Sequence, residues 1–161
     1  FNEQITYGNT MVLGYNKGGS DAQSGFTITS VEGTGSGILI SEGTNYSMKA
    51  TLVGQVDVVF HVAEGTNHLP AQIGKTVTIN PRSLNLTGLA IENKTYDGGT
   101  TATIVGTPVL DGLVDGDIVE INEDISATFQ NKNAGNRSVG LSDVSLNGIN
   151  TSPNNYNLIL P

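Results

Sequence analysis

The stretch Leu89-Ala-Ile-Glu-Asn-Lys-Thr-Tyr-Asp-Gly-Gly-Thr-Thr-Ala-Thr-Ile-Val105 consists of two β-rich runs around a Tyr-Asp-Gly-Gly corner. Gly98 and Gly99 accept positive φ, and the short side chain of Asp97 can bond the backbone of its own turn. The runs on either side favour extended backbone, so the stretch predicts a hairpin-like unit. The same alternation of short strands and glycine-rich turns extends in both directions from this stretch, and the expected fold class is all-β.

Composition agrees. The chain has 161 residues with 21 Gly, no Trp, and only nine Phe and Tyr together, so its core has to be thin and built from Val, Ile and Leu. No window shows helical periodicity, and residues favoured in helix interiors are scarce. Fifteen acids against seven Lys and Arg give a net charge of −8. That balance argues against binding a phosphate backbone or an anionic membrane surface, so neither nucleic acid nor direct membrane insertion is expected. The absence of cysteine rules out disulfides and thiolate metal sites. The chain starts at Phe1 and carries no apolar run of transmembrane length, and it reads as a piece of a longer protein.

The first eighty residues contain seven strand candidates: 5–7, 11–15, 26–31, 37–40, 48–53, 56–63 and 75–79. The clearest is the last but one, where Val56, Val58, Phe60 and Val62 share one face and Asp57, Val59, His61 and Ala63 the other. Met48, Ala50 and Leu52 repeat that period, and Gly54-Gln55 is short enough to close a hairpin between these two strands. Gly33-Thr34-Gly35-Ser36-Gly37 lacks the Lys-Ser/Thr of a phosphate loop and leads into a strand, so it predicts a turn or bulge. At Asn80-Pro81-Arg82 the pattern pauses, which puts a boundary between modules 1–80 and 81–161, joined by a short stiff linker.

The second half restarts with 84–86 and 89–91, where Gly88 shifts the apolar parity and suggests a bulge. Further strands are expected at 100–105, 109–110, 117–121, 125–129, 138–141, 144–146 and 156–160. Ile125/Ala127/Phe129 and Tyr156/Leu158/Leu160 alternate strictly, so each strand should bury one face.

Four ordered blocks in this half resemble the YDG repeat domain of large bacterial surface proteins and adhesins. They are Asn93-Lys-Thr-Tyr-Asp-Gly98 with Thr100–Thr103; Leu110-Asp-Gly-Leu-Val114 with Gly116-Asp117; Ala127-Thr-Phe129 with Asn131-Lys-Asn-Ala-Gly135; and Asn155-Tyr-Asn-Leu158. The first half is similar to the bacterial immunoglobulin-like repeats that accompany such domains, through Thr6-Tyr-Gly-Asn-Thr10, Gly35-Ser-Gly37 and Ala63-Glu-Gly-Thr-Asn-His-Leu-Pro-Ala71. The resemblance implies two tandem immunoglobulin-like β-sandwich modules, extracellular and anchored as part of a larger surface protein, with neighbouring modules of the same chain as partners. It implies no catalytic residues and no cofactor.

Tyr96, Asp97, Gly98, Phe129 and Tyr156 form the expected structural motif. Tyr96 is expected to pack its ring into a sandwich end as a tyrosine corner does, while Asp97 caps the turn. A packed Tyr96 implies a loss of about 3–5 kcal/mol on replacement by Ala. The acidic stretch 111–124 makes Asp111, Asp115 and Asp117 the best calcium candidates, but the spacing is not that of an EF-hand, and solvated turns with a charged strand face are the favoured reading. Lys49, Lys94 and Lys132 are available in principle for an isopeptide cross-link, with no marked partner. The two histidines, His61 and His68, accompany no nucleophile-elbow motif, so an enzyme is not expected. The expected function is a stalk, spacer or adhesion module that meets a host protein, cell-surface protein or glycan. The alternative is a carbohydrate-binding accessory module, for which Tyr15 and Tyr46 are the loose aromatic candidates.

Overall fold

The computed structural model describes residues 3–14, 24–30, 34–67 and 69–161. The protein is all-β: among the described residues there are fifteen strands, one 3-10 turn at Pro153–Asn155 and no α-helix. It divides into two compact units, Phe1–Arg82 and Ser83–Pro161. Tyr15, Val31 and His68, which figured in the sequence expectations, lie outside the described residues.

Unit 1 holds β1 (Gln4–Thr6), β2 (Thr10–Val12), β3 (Ser24–Ser30), β4 (Ser36–Glu42), β5 (Asn45–Leu52), β6 (Gly54–Val62) and β7 (Ala71–Asn80). They form two sheets, ordered β1-β7-β6-β3 and β2-β5-β4. The first strand runs parallel to the last, with Gln4 opposite Thr78 and Thr6 opposite Asn80. Every other described pairing in this unit is antiparallel. The alternation expected of β6 holds: Val56, Val58 and Phe60 are buried, as are Met48 and Ala50 on β5 and Val77 and Ile79 on β7. Phe26 ties the two sheets together, its ring 5.2 Å from Phe60 in its own sheet and 5.4 Å from Tyr46 in the other. Such aromatic pairs add about 0.5–1.5 kcal/mol beyond the area they bury.

The Gly54-Gln55 connection is not the expected hairpin. β5 pairs with β2 and β4, whereas β6 pairs with β3 and β7, so the chain crosses between sheets at this point. A backbone contact makes the crossing possible. Gly54 has φ 137° and Gly35 has φ 77°. A Cβ on Gly54 would strike the backbone of Thr34 and Gly35, and one on Gly35 would lie 2.6 Å from the Gln55 nitrogen. Of the glycine-rich stretch, whose Gly33 lies outside the described residues, residues 34–37 thus let two backbones touch. The stretch also carries a bulge, since the register shifts between Ser36 and Gly37.

Unit 2 begins on β8 (Arg82–Ile91) and continues through β9 (Thr101–Ala102), β10 (Ile104–Asp111), β11 (Val119–Ile121), β12 (Ser126–Phe129), β13 (Val139–Ser142), β14 (Leu146–Gly148) and β15 (Tyr156–Ile159). Three small sheets result, β10-β8-β15, β13-β12-β9 and β11-β14. Leu84 and Leu86 of β8, Ala102, Val119, Ala127 and Tyr156 are the buried apolar side chains. This core is much thinner than that of unit 1.

The opening stretch does not fold as a tight hairpin. β8 and β10 pair antiparallel from Ile91 opposite Ile104. The residues between them make an excursion in which β9 leaves to pair with β12. Of the corner glycines only Gly98 has positive φ, so the two-glycine turn that would join the strands directly does not form. The bulge expected at Gly88 is present, with its extra residue on the partner strand. Gly106 faces Leu89 and Val109 faces Thr87, so Thr107 and Pro108 together oppose Gly88. Gly88 and Gly106 take φ of 80° and 93° there, and Pro108, which has no N–H, sits where the ladder is interrupted.

The sheet crossing separates two kinds of glycine. Gly54→Ala is expected to cost about 3 kcal/mol or more, because a forbidden φ and a backbone collision add. Gly43→Ala, at φ 62° with open space around its Cβ position, should cost only about 1–2 kcal/mol. Urea unfolding midpoints of the two variants test the ranking, and equal losses would contradict it.

Candidate functional site

The YDG corner and the loop after β12 form one groove, a hollow of about 120 Å³ between residues 94–99 and 129–137. The corner is built as the turn chemistry requires. Asp97 Oδ1 accepts the Gly99 N–H at 2.9 Å, the local bond by which aspartate caps a turn, and Gly98 takes φ 78°. Lys94 then closes the corner as a clamp: its Nζ lies 2.9 Å from Asp97 Oδ1 and donates to the Thr101 carbonyl at 3.0 Å. The Lys94 ammonium, first, and the Gly99 N–H hold the Asp97 carboxyl below its ordinary pKa.

The facing loop is organised by Arg137, a residue to which sequence reasoning assigned no role. Its Nε donates to Asn131 Oδ1 at 3.0 Å, its Nη1 to the Asn136 carbonyl and its Nη2 to the Ala134 carbonyl, both at 2.7 Å. Asn131 Oδ1 also accepts the Asn133 N–H at 3.0 Å. Phe129 also lines the groove, half-buried, with its N–H donating to the Thr100 carbonyl at 2.8 Å. The only local signal for this loop is Asn131, two residues before the N–H it caps. The reach of Arg137 depends on how the loop folds.

Tyr96 departs from expectation. Its side chain is 66% exposed, so it does not close a sandwich end. It belongs to a run without alternation, between the clamp residues Lys94 and Asp97, and both turn bonds form without its ring. The buried tyrosine is Tyr156, which is 6% exposed. Its hydroxyl accepts the Val114 N–H at 2.9 Å and donates to Asp117 Oδ2 at 2.5 Å. The neighbouring Asn155, 1% exposed, donates to Thr151 Oγ1 at 2.9 Å.

That arrangement disperses the acidic stretch. Asp117 is engaged by Tyr156, Asp115 is exposed in the turn, and Asp111 ends β10 opposite Asn85. Asn150 holds the same turn, accepting the Ile118 N–H at 2.7 Å and donating to the Gly116 carbonyl at 2.8 Å. Among the described residues no group of three His, Cys, Asp or Glu side chains converges as a metal site would require. His61 lies half-buried on β6 beside Gly25. Tyr46 is not a loose aromatic, because it packs on Phe26 and its hydroxyl donates to the Ser24 carbonyl at 3.3 Å.

Unit 2 is thus a small β module with a groove between two loops, each braced by its own hydrogen bonds. A family model for the YDG domain matches residues 80–160, and the chain belongs to that family. No match was found among curated proteins or solved structures.

Two measurements follow from these roles. Tyr96→Ala is expected to change stability by about 0.5 kcal/mol or less, as exposed positions do. Tyr156→Phe should cost about 1–3 kcal/mol, because the part-buried Val114 N–H and Asp117 lose their partner. The reverse order in urea unfolding would overturn both assignments. In an NMR titration the Asp97 carboxyl should titrate below the ordinary aspartate range, and Lys94→Met should move its midpoint upward. Because the folded pKa is the lower one, the associated stability is present above the unfolded pKa and is lost as pH falls through the folded pKa. An unmoved midpoint in Lys94→Met would remove the clamp from the account.

Proposed function

We propose that the chain is a non-catalytic tandem module of a bacterial cell-surface or secreted protein, serving as stalk, spacer or adhesion module. In this reading both halves, 1–80 and 81–161, are immunoglobulin-like β-sandwich modules, and their partners are neighbouring modules of the same protein.

The observation that carries the reading is the strand order of unit 1. β3, β6 and β7 lie together in one sheet and β2, β5 and β4 in the other, with β1 added beside β7. Lettered in chain order from A, this gives C-F-G in one sheet and B-E-D in the other, the sheet assignment of an immunoglobulin-type sandwich. Support in the second half comes from the YDG match and from β8, where Leu84 and Leu86 are buried while Ser83, Asn85 and Thr87 are exposed. A single residue, Pro81, separates β7 from β8, which suits modules strung in series. The acidic balance favours solubility at a crowded surface. The carbohydrate-binding alternative gains one specific point, the exposed ring of Tyr96.

Antibodies raised against the chain provide the test. Intact cells of the source organism should label, and brief surface proteolysis should remove the signal. Labelling that appears only after the cells are broken would overturn the surface reading.

A further inference from the structure

Unit 2 has three basic side chains, Lys94, Lys132 and Arg137, and all three line the one groove at the YDG corner. Of the nine carboxylates in Ser83–Pro161, only Asp97 joins them, and it is paired with Lys94. The groove is therefore a positive spot on an acidic module. Arg137 uses its donors on the loop but keeps its charge, and Lys132 is exposed beside it. Tyr96 presents its ring at the same place.

Lys94 and Arg137 brace the loops they stand on, but among the described residues no such bond accounts for Lys132, the exposed third cation of the groove. The Lys94 clamp and the Arg137 scaffold hold the two loops of a groove that an exposed aromatic ring also lines, and holding a site in its bound form before the ligand arrives reduces the ordering cost of binding. Resting on the surface-module reading, we propose that the groove binds a carboxylate-bearing saccharide, a sugar acid at the end or edge of a glycan. The C–H face of one sugar ring covers Tyr96, its carboxylate lies toward Lys132 and the Arg137 charge, and Asn133 offers an exposed amide to the hydroxyls. The hollow suits recognition of one ring; it is smaller than the several hundred Å³ typical of a site that engulfs a whole ligand. The polar lining and single aromatic favour a sugar over an apolar peptide side chain. Attraction by a few partly screened charges makes the affinity weak and sensitive to salt.

The test uses the full 161-residue chain, ¹⁵N-labelled, titrated with galacturonic acid trimer, with galactose trimer and acetate as controls. The acidic trimer should move the amides of residues 94–99 and 131–137 with a millimolar Kd, and the neutral trimer should bind about tenfold more weakly. Acetate at equal carboxylate concentration should leave these amides in place. Tyr96→Ala and Lys132→Ala should each weaken binding about tenfold without shifting the urea midpoint. No movement with the acidic trimer, or equal binding of both trimers, overturns the proposal. So does retained affinity in Tyr96→Ala, or a tetraglutamate peptide that binds the same amides more tightly. If cells label at the surface and the trimer does not bind, only the saccharide assignment falls; if labelling fails, the surface reading falls whatever the titration returns.

Discussion

The hydroxyl of Tyr156 is the point on which the second half of the chain depends. With few large buried side chains in this unit, apolar burial specifies its arrangement only loosely. A buried phenol that satisfies a backbone N–H and a carboxylate at once supplies direction that Val and Leu contacts lack. It joins the last strand to the turn after β10, some forty residues earlier in the chain. Asn150 and Asn155 extend the same logic, so the end of the unit near this turn is organised by polar side chains answering specific backbone groups.

Unit 1 solves the problem differently. Its Phe, Met and Val side chains fill a core between two sheets, and the constraint falls on the backbone, where Gly35 and Gly54 come into contact as the chain changes sheets. One unit is defined by where side chains are absent, the other by what a few polar side chains reach. In both, the charged residues are left largely to the surface, which allows the cations of unit 2 to gather at the YDG corner.

Most of the strands could be read from the sequence because alternation is a local property. Val56–Val62 and Met48–Leu52 declare their buried faces without reference to anything distant, and Gly88 declares its bulge by breaking parity. Pairing could not be read in the same way. Gly54-Gln55 has the length of a hairpin turn and equally of a sheet crossing, and only the approach of Gly35 separates the two. The tyrosines teach a similar lesson. Tyr156 alternates with Leu158 on a strand, whereas Tyr96 stands in a run with no period, so the rule that located the strands also marks which ring is buried; the motif around Tyr96 drew attention away from it. Arg137 was beyond reach, because two of its three acceptors are loop carbonyls whose positions exist only after folding.

The pairing of the first strand of unit 1 with its last has a mechanical consequence. Because β1 and β7 run in the same direction, tension applied at the two ends of this unit pulls them past each other along their length. The hydrogen bonds between parallel strands are evenly spaced, so they share that load and must fail together. In a hairpin pulled open from one end they would fail one after another. A unit wired this way resists stretching through the geometry of one strand pair, in addition to whatever its core contributes.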